Sequence, residues 1–94
     1  MLPKNRVSTH PGEILSEEFL KPMGITQSAF AAHMGVPFQR INELINGKRG
    51  ITPETAWLLS EALGTTAEFW THLQAAHDLT KHRLQRHVKP IRAA

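Results

Sequence analysis

Apolar residues recur at intervals of three and four along most of this 94-residue chain, and almost nowhere do apolar and polar residues alternate with period two. An α-helix turns once in 3.6 residues, so this spacing lines one helix face; a half-buried strand needs the alternation that is missing. Gly, Pro, Thr and Asn interrupt the periodic stretches where caps and stops belong. The pattern predicts an all-α fold of five helices.

The first predicted helix covers residues 13–20, with Pro11 and Gly12 before it, Pro22 stopping it, and Leu15 and Phe19 one turn apart on its inner face. The second begins at Thr26, a good N-cap, with Ile25 and Phe30 placed to form a hydrophobic staple, and ends at Gly35. The third covers residues 37–45, carries Ile41, Leu44 and Ile45 at helical spacing, and is closed by Asn46-Gly47. Thr52 followed by Pro53 opens the fourth, whose buried stripe is Ala56, Leu59, Ala62 and Leu63, and Gly64 ends it. Thr65-Thr66-Ala67-Glu68 fits a capping box for the fifth, which is longer and carries Phe69, Trp70, Leu73, Ala76 and Leu79. Its apolar pattern fades near His82, and Pro90 bars any helix from continuing.

The second and third helices read together as a helix-turn-helix over residues 27–44. Ala31 is small enough for two helices to cross closely, Gly35 tolerates the positive φ of the turn, and Val36 and Ile41 pin the second helix onto the first. The opposite face of residues 37–45 is then free to enter a major groove. Its exposed side chains are Phe38, Gln39, Arg40, Asn42 and Glu43. Gln and Asn bond an adenine edge in a bidentate way and Arg does so to guanine, which makes Gln39, Arg40 and Asn42, with Phe38 beside them, the candidate base readers. Gln27, at a helix N-terminus, and Asn46, Lys48 and Arg49, just past the reading helix, are candidate contacts to the phosphate backbone.

Charge supports this only locally. The formal net charge is +3, but residues 1–10 contribute Lys4 and Arg6, and residues 79–94 contribute Lys81, Arg83, Arg86, Lys89 and Arg92 with no acid. Residues 11–78 hold Lys21, Arg40, Lys48 and Arg49 against all eight acids, a net of −4. Overall basicity therefore says little about DNA, whereas three of those four central cations flank the proposed reading helix. The acidic centre leaves open a protein-interaction module that binds a basic partner. The residue count suits one domain with a modest core, here divided into a flexible arm (1–10), a helix-turn-helix domain (11–80) and a basic tail (81–94).

Several stretches resemble one family in particular. They are His10-Pro11-Gly12-Glu13-Ile14-Leu15, then Glu17-Glu18-Phe19-Leu20 with Pro22 and Gly24-Ile25, then the run from Arg40 to Thr52, and finally Ala67-Glu68-Phe69-Trp70 with Leu73-Gln74 and Asp78-Leu79. Together, spanning residues 10–79, they resemble the HigA antitoxins, also called virulence-associated protein I, within the Xre/Cro-type helix-turn-helix repressors. The resemblance implies a lambda-repressor-like DNA-binding domain that forms a homodimer on a palindromic operator in double-stranded DNA. It also implies control of its own operon and neutralisation of a HigB-type toxin, a ribosome-dependent mRNA-cleaving enzyme. Solitary Xre-type regulators without a toxin partner share the pattern.

Phe69 and Trp70 are adjacent and therefore point about 100° apart on a helix. One can fill the core while the other faces a partner, so Phe69, Trp70 and Leu73 are the candidate dimer interface, with the division of roles open. Other chemistry finds little support. The absence of cysteine excludes disulfides and thiolate metal sites and fits a reducing, cytoplasmic setting. His72, His77, His82 and His87 recur every fifth residue, which swings successive rings about 140° apart rather than onto one ion, so no metal or other cofactor is expected. No nucleophile–base pair, phosphate loop or membrane-length apolar run stands out, and neither an enzyme, a small-molecule substrate nor a membrane association is expected.

Overall fold

The computed structural model describes residues 2–92, and among them there is no strand. Five helices account for the regular structure. The first, α1, runs through three consecutive stretches, Pro11–Ile14, Leu15–Leu20 and Lys21–Met23. The others are α2 (Gln27–Met34), α3 (Phe38–Ile45), α4 (Pro53–Leu63) and α5 (Ala67–Lys81).

Pro22 does not stop α1. The middle stretch is π-helical, and Lys21 donates its N–H to Ser16, five residues back. A proline ring in an α-helix collides with the carbonyl four residues before it; a turn widened to i→i+5 relieves that collision. The wider turn has a second use. Leu15 and Leu20 are both buried, yet five residues of α-helix would set them about 140° apart. The π-helical stretch brings both to the core, and α1 then ends at Gly24.

Side-chain caps start α2, α4 and α5 almost where the sequence places them. Thr26 accepts from Ala29 N–H, and Thr52 accepts from Thr55 N–H ahead of Pro53. At α5 the expected capping box is not made. Thr66, not Thr65, caps the helix by accepting from Phe69 N–H. Thr65 is otherwise engaged: its hydroxyl accepts the indole N–H of Trp70 at 2.7 Å. Trp70 is fully buried, and an unpaired indole N–H there would be costly, so the tryptophan takes the threonine and the helix starts one residue later.

The core is formed by Leu15, Leu20, Phe30, Ala31, Ile41, Leu44, Ala56, Leu59 and Trp70, one or more from every helix. Gly12 lies against the last turn of α3, so close that a Cβ there would overlap the Leu44 carbonyl. Ser8, just ahead of α1, donates its N–H to the buried Thr80 hydroxyl on α5 at 2.8 Å, and its carbonyl pairs with His77 Nδ1 at 2.8 Å. Beyond His82 the described chain has no helix, and Leu84, Val88 and Ile91 are exposed. Met1, Ala93 and Ala94, the outermost residues of the expected arm and tail, lie outside the described residues.

Candidate nucleic-acid interface

The turn between α2 and α3 is built from the residues the sequence singles out. Gly35 takes φ 71°, its N–H bonds the Ala32 carbonyl at 3.2 Å, and Val36 N–H reaches back to Ala31 at 3.0 Å. These paired bonds satisfy carbonyls that the helix end would otherwise orphan, and they require a left-handed residue at position 35. Val36 packs on the core. Ala31 is buried where α2 and α3 cross, and Ile41 and Leu44 bury the inner face of α3 completely. The orientation of the outer face follows from that packing.

That outer face carries the predicted readers. Phe38 is 49% exposed, Gln39 is exposed, and Arg40 and Asn42 are half-buried. Pro37 stands at the N-cap with no side-chain hydrogen bond. At the other end Gly47, with φ 74°, repeats the same closure: Gly47 N–H bonds Leu44 and Lys48 N–H bonds Glu43 at 2.8 Å. The closure folds Asn46, Lys48 and Arg49 back beside the last turn of α3. Lys48 and Arg49 are exposed there, and Arg49 reaches back to Glu43 on α3.

The polar side chains on this surface are tied to one another. Asn42 Nδ2 donates to Gln27 Oε1 at 3.0 Å, joining the first turn of α2 to α3. Asn46 Nδ2 donates to Asn42 Oδ1 at 3.2 Å. Arg40 pairs with Glu54 at the start of α4 across 3.2 Å. Gln39 Nε2 donates to Glu43 Oε2 at 3.2 Å. The other oxygen of Glu43 accepts from Arg49 Nε and Nη2 at 3.1 and 2.9 Å. Hydrogen bonds from Arg49 and then Gln39 hold the Glu43 carboxyl below the usual carboxylate range. Lys48 forms no ion pair among the described residues.

Sequence reasoning placed Glu43 on the exposed face of α3 but gave it no role, and it missed Glu54 altogether. The i, i+4 spacing of Gln39 and Glu43 is a readable signal. The Arg49 and Glu54 partnerships depend on a turn and a helix crossing and leave no such trace.

The residues proposed for dimerisation divide cleanly. Trp70 is fully buried in its own chain, so it belongs to the core and drops out of any direct interface. Phe69 is 38% exposed and lies edge-on to Trp70, with ring centroids 5.0 Å apart, and to Phe19 at 6.4 Å. Leu73 is partly buried against the core. Among the described residues no three His, Asp or Glu side chains gather as a metal site, and no helix is long and apolar enough to cross a membrane.

Comparison with known proteins bears on this geometry. The family model described as Helix-turn-helix matches residues 17–70. Virulence-associated protein I of Dichelobacter nodosus is 49% identical over 70 residues, which cover 74% of this chain and 65% of that protein; the chain thus spans slightly less than two thirds of that relative. Antitoxin HigA-1 of Vibrio cholerae is 46% identical over 83 residues, covering 86% of this chain and 78% of that one. Among solved structures, antitoxin GraA in complex with its operator superposes with a TM-score of 0.78 at 36% identity, over 95% of this chain and all of that one.

Proposed function

The chain belongs to the helix-turn-helix family that includes the HigA antitoxins, and on that premise we propose that it is an operator-binding transcriptional repressor and the antitoxin of a HigBA-type pair. It binds double-stranded DNA as a homodimer, represses its own operon and neutralises a HigB-type mRNA-cleaving toxin in the cytoplasm. The observation that carries the DNA-binding part is the division of α3 into two faces. Ile41 and Leu44 are buried to within 1%, while Phe38 and Gln39 are exposed, Arg40 and Asn42 are half-buried, and Arg49 just past the helix is tied to Glu43 on its outer side. A helix held this way presents base-reading groups to a major groove and cations to the flanking phosphates. The GraA structure solved with its operator supports the same use of this fold.

In this reading Gln39, Arg40 and Asn42 read base edges, with Phe38 packing on a thymine methyl or a sugar. Gln27, Asn46, Lys48 and Arg49 hold the backbone. Phe69 and Leu73 form the dimer contact. Two-fold symmetry sets the two α3 helices about 34–36 Å apart, one turn of DNA. Selection from randomised duplexes tests the proposal: the protein should enrich a palindrome whose half-sites are one turn apart. Gln39→Ala or Arg40→Ala should relax that preference, at roughly 1–3 kcal/mol for a bidentate contact. Equal losses on selected and random DNA would remove those residues from base reading.

A further inference from the structure

We infer that Glu43 discriminates operator from other DNA, accepting a hydrogen bond from a cytosine amine at the right sequence and opposing binding elsewhere. The inference rests on the DNA-binding role proposed above. Glu43 is the one acid in α3. It stands one turn from Gln39, and its two oxygens are shared between Gln39 and Arg49. The side chains of Glu43 and Arg49 remain 29% and 47% exposed, respectively. An exposed pair of this kind adds little to fold stability, so stability alone does not explain a carboxylate in this position. Hydrogen bonds from Arg49 and then Gln39 hold its carboxyl further below the usual carboxylate range.

A fixed negative charge on a surface that approaches a polyanion has unequal effects on different DNA. Non-specific binding comes almost wholly from cations that displace counterions from phosphates. Glu43 holds Arg49 with two hydrogen bonds and answers its charge, which subtracts about one effective cation from that mode. At a specific site the carboxylate has somewhere to go. The major-groove edge of cytosine offers an N4 amine donor, and Glu accepts from it; Gln39, released, turns to an adenine. Opposite guanine O6 and N7 or thymine O4 the carboxylate would face only acceptors, and at adenine the N6 amine donor is flanked by the repelling N7 acceptor, which leaves cytosine the best partner. Glu43 thus opposes binding at every sequence and is compensated at one, which is how a repulsive group creates specificity.

The test compares the wild-type protein with Glu43→Gln on two duplexes of equal length, across a salt series. One is the sequence the wild type selects from a randomised pool; the other is a mixed-sequence control. The variant should bind the control about tenfold more tightly, with a salt slope steeper by about one. It should gain nothing on the selected duplex, so the specificity ratio falls by about tenfold. Its own selected sequences should lose one cytosine preference per half-site. Equal tightening on both duplexes, or no change on either, would overturn the inference. Failure of the wild type to select any sequence would instead overturn the DNA-binding reading on which it rests. Equal melting temperatures for the two proteins would confirm that the comparison measures DNA binding.

Discussion

Gly12, in the first turn of α1, packs directly against the carbonyl group of Leu44, in the last full turn of α3. A Cβ at position 12 would overlap the carbonyl oxygen and lie 2.6 Å from its carbon and 3.0 Å from Ile45 Cα. Backbone, unlike the end of a flexible side chain, cannot swing aside. Gly12→Ala is therefore expected to destabilise the domain by roughly 3 kcal/mol, the upper range for overpacking. Thermal unfolding reads this as a fall of roughly 4–8 °C per kcal/mol in a domain of this size. A variant that melts like the wild type would show that α1 and α3 are not in this contact. If the variant still folds, α3 must have shifted, and DNA affinity should fall with stability.

A second close relationship, between His10 and α5, predicts a pH dependence. His10 Nδ1 accepts from Gly12 N–H at 2.9 Å, and its ring meets that of His77 edge-on at 4.8 Å. Burial first, and then the His77 ring, hold the His10 imidazole below its usual value of 6.5; Lys81 acts in the same direction and Asp78 opposes it. A histidine with a depressed folded pKa favours the neutral form in the native state. Its contribution is fully present above about pH 6.5 and is lost as the pH falls through the lowered folded value. Melting temperature should therefore decline as the pH falls below about 6.5 and on through the lowered folded value, where His10 protonates and can no longer accept from Gly12. His10→Asn keeps an N-capping oxygen without a titrating ring, so its curve over the same range should be flatter. Parallel curves for the two proteins would assign the decline to other groups.

Thr65 predicts a cost with no change in packing volume. Its hydroxyl is the hydrogen-bond partner given to the fully buried Trp70 indole. Thr65→Val keeps the shape and orphans the N–H, which should cost roughly 1–3 kcal/mol. Trp70→Phe in the same background removes the orphan, so the double variant should lose less than the two single variants combined. Chemical denaturation of the four proteins closes this cycle, and strict additivity would mean that the bond contributes nothing.

These relationships also mark what the sequence makes legible. Thr26, Gly35, Thr52, Pro53 and Gly64 act locally, through caps and turns a few residues long, and they stand where the pattern predicts them. Ile41 and Leu44 follow from periodicity, because burial of one helix face is a property of spacing. Pro22 misleads because it is read against an α-helix, and the π-helical turn that accommodates it leaves no simple residue signature. Thr65 misleads because a capping box is a local motif, and a tryptophan five residues on claims the same oxygen. The pairings of Ser8 with Thr80, Arg40 with Glu54 and Gln74 with Ile51 join residues far apart in sequence. They depend on how the helices cross, which periodicity does not encode.

Gln27 illustrates the consequence for function. From sequence alone it is a phosphate contact at a helix N-terminus, but in the structure its Oε1 receives the Asn42 amide across the turn, at 3.0 Å. The two roles are compatible, because the Gln27 Nε2 group stays available as a donor while Oε1 fixes the Asn42 side chain. They nevertheless predict different mutant behaviour. A phosphate contact alone gives Gln27→Ala a uniform loss on all sequences, independent of Asn42. Positioning through Asn42 gives a loss concentrated on the selected sequence, roughly 1–3 kcal/mol if Asn42 makes a bidentate base contact. In that case Gln27→Ala should have little further effect once Asn42→Ala is present. Affinities of the wild type, both single variants and the double variant for the selected and mixed-sequence duplexes decide between them. The 3.0 Å bond leads us to expect strong coupling on the selected duplex and near-additivity on the control. Additivity on both would return Gln27 to the phosphate backbone alone.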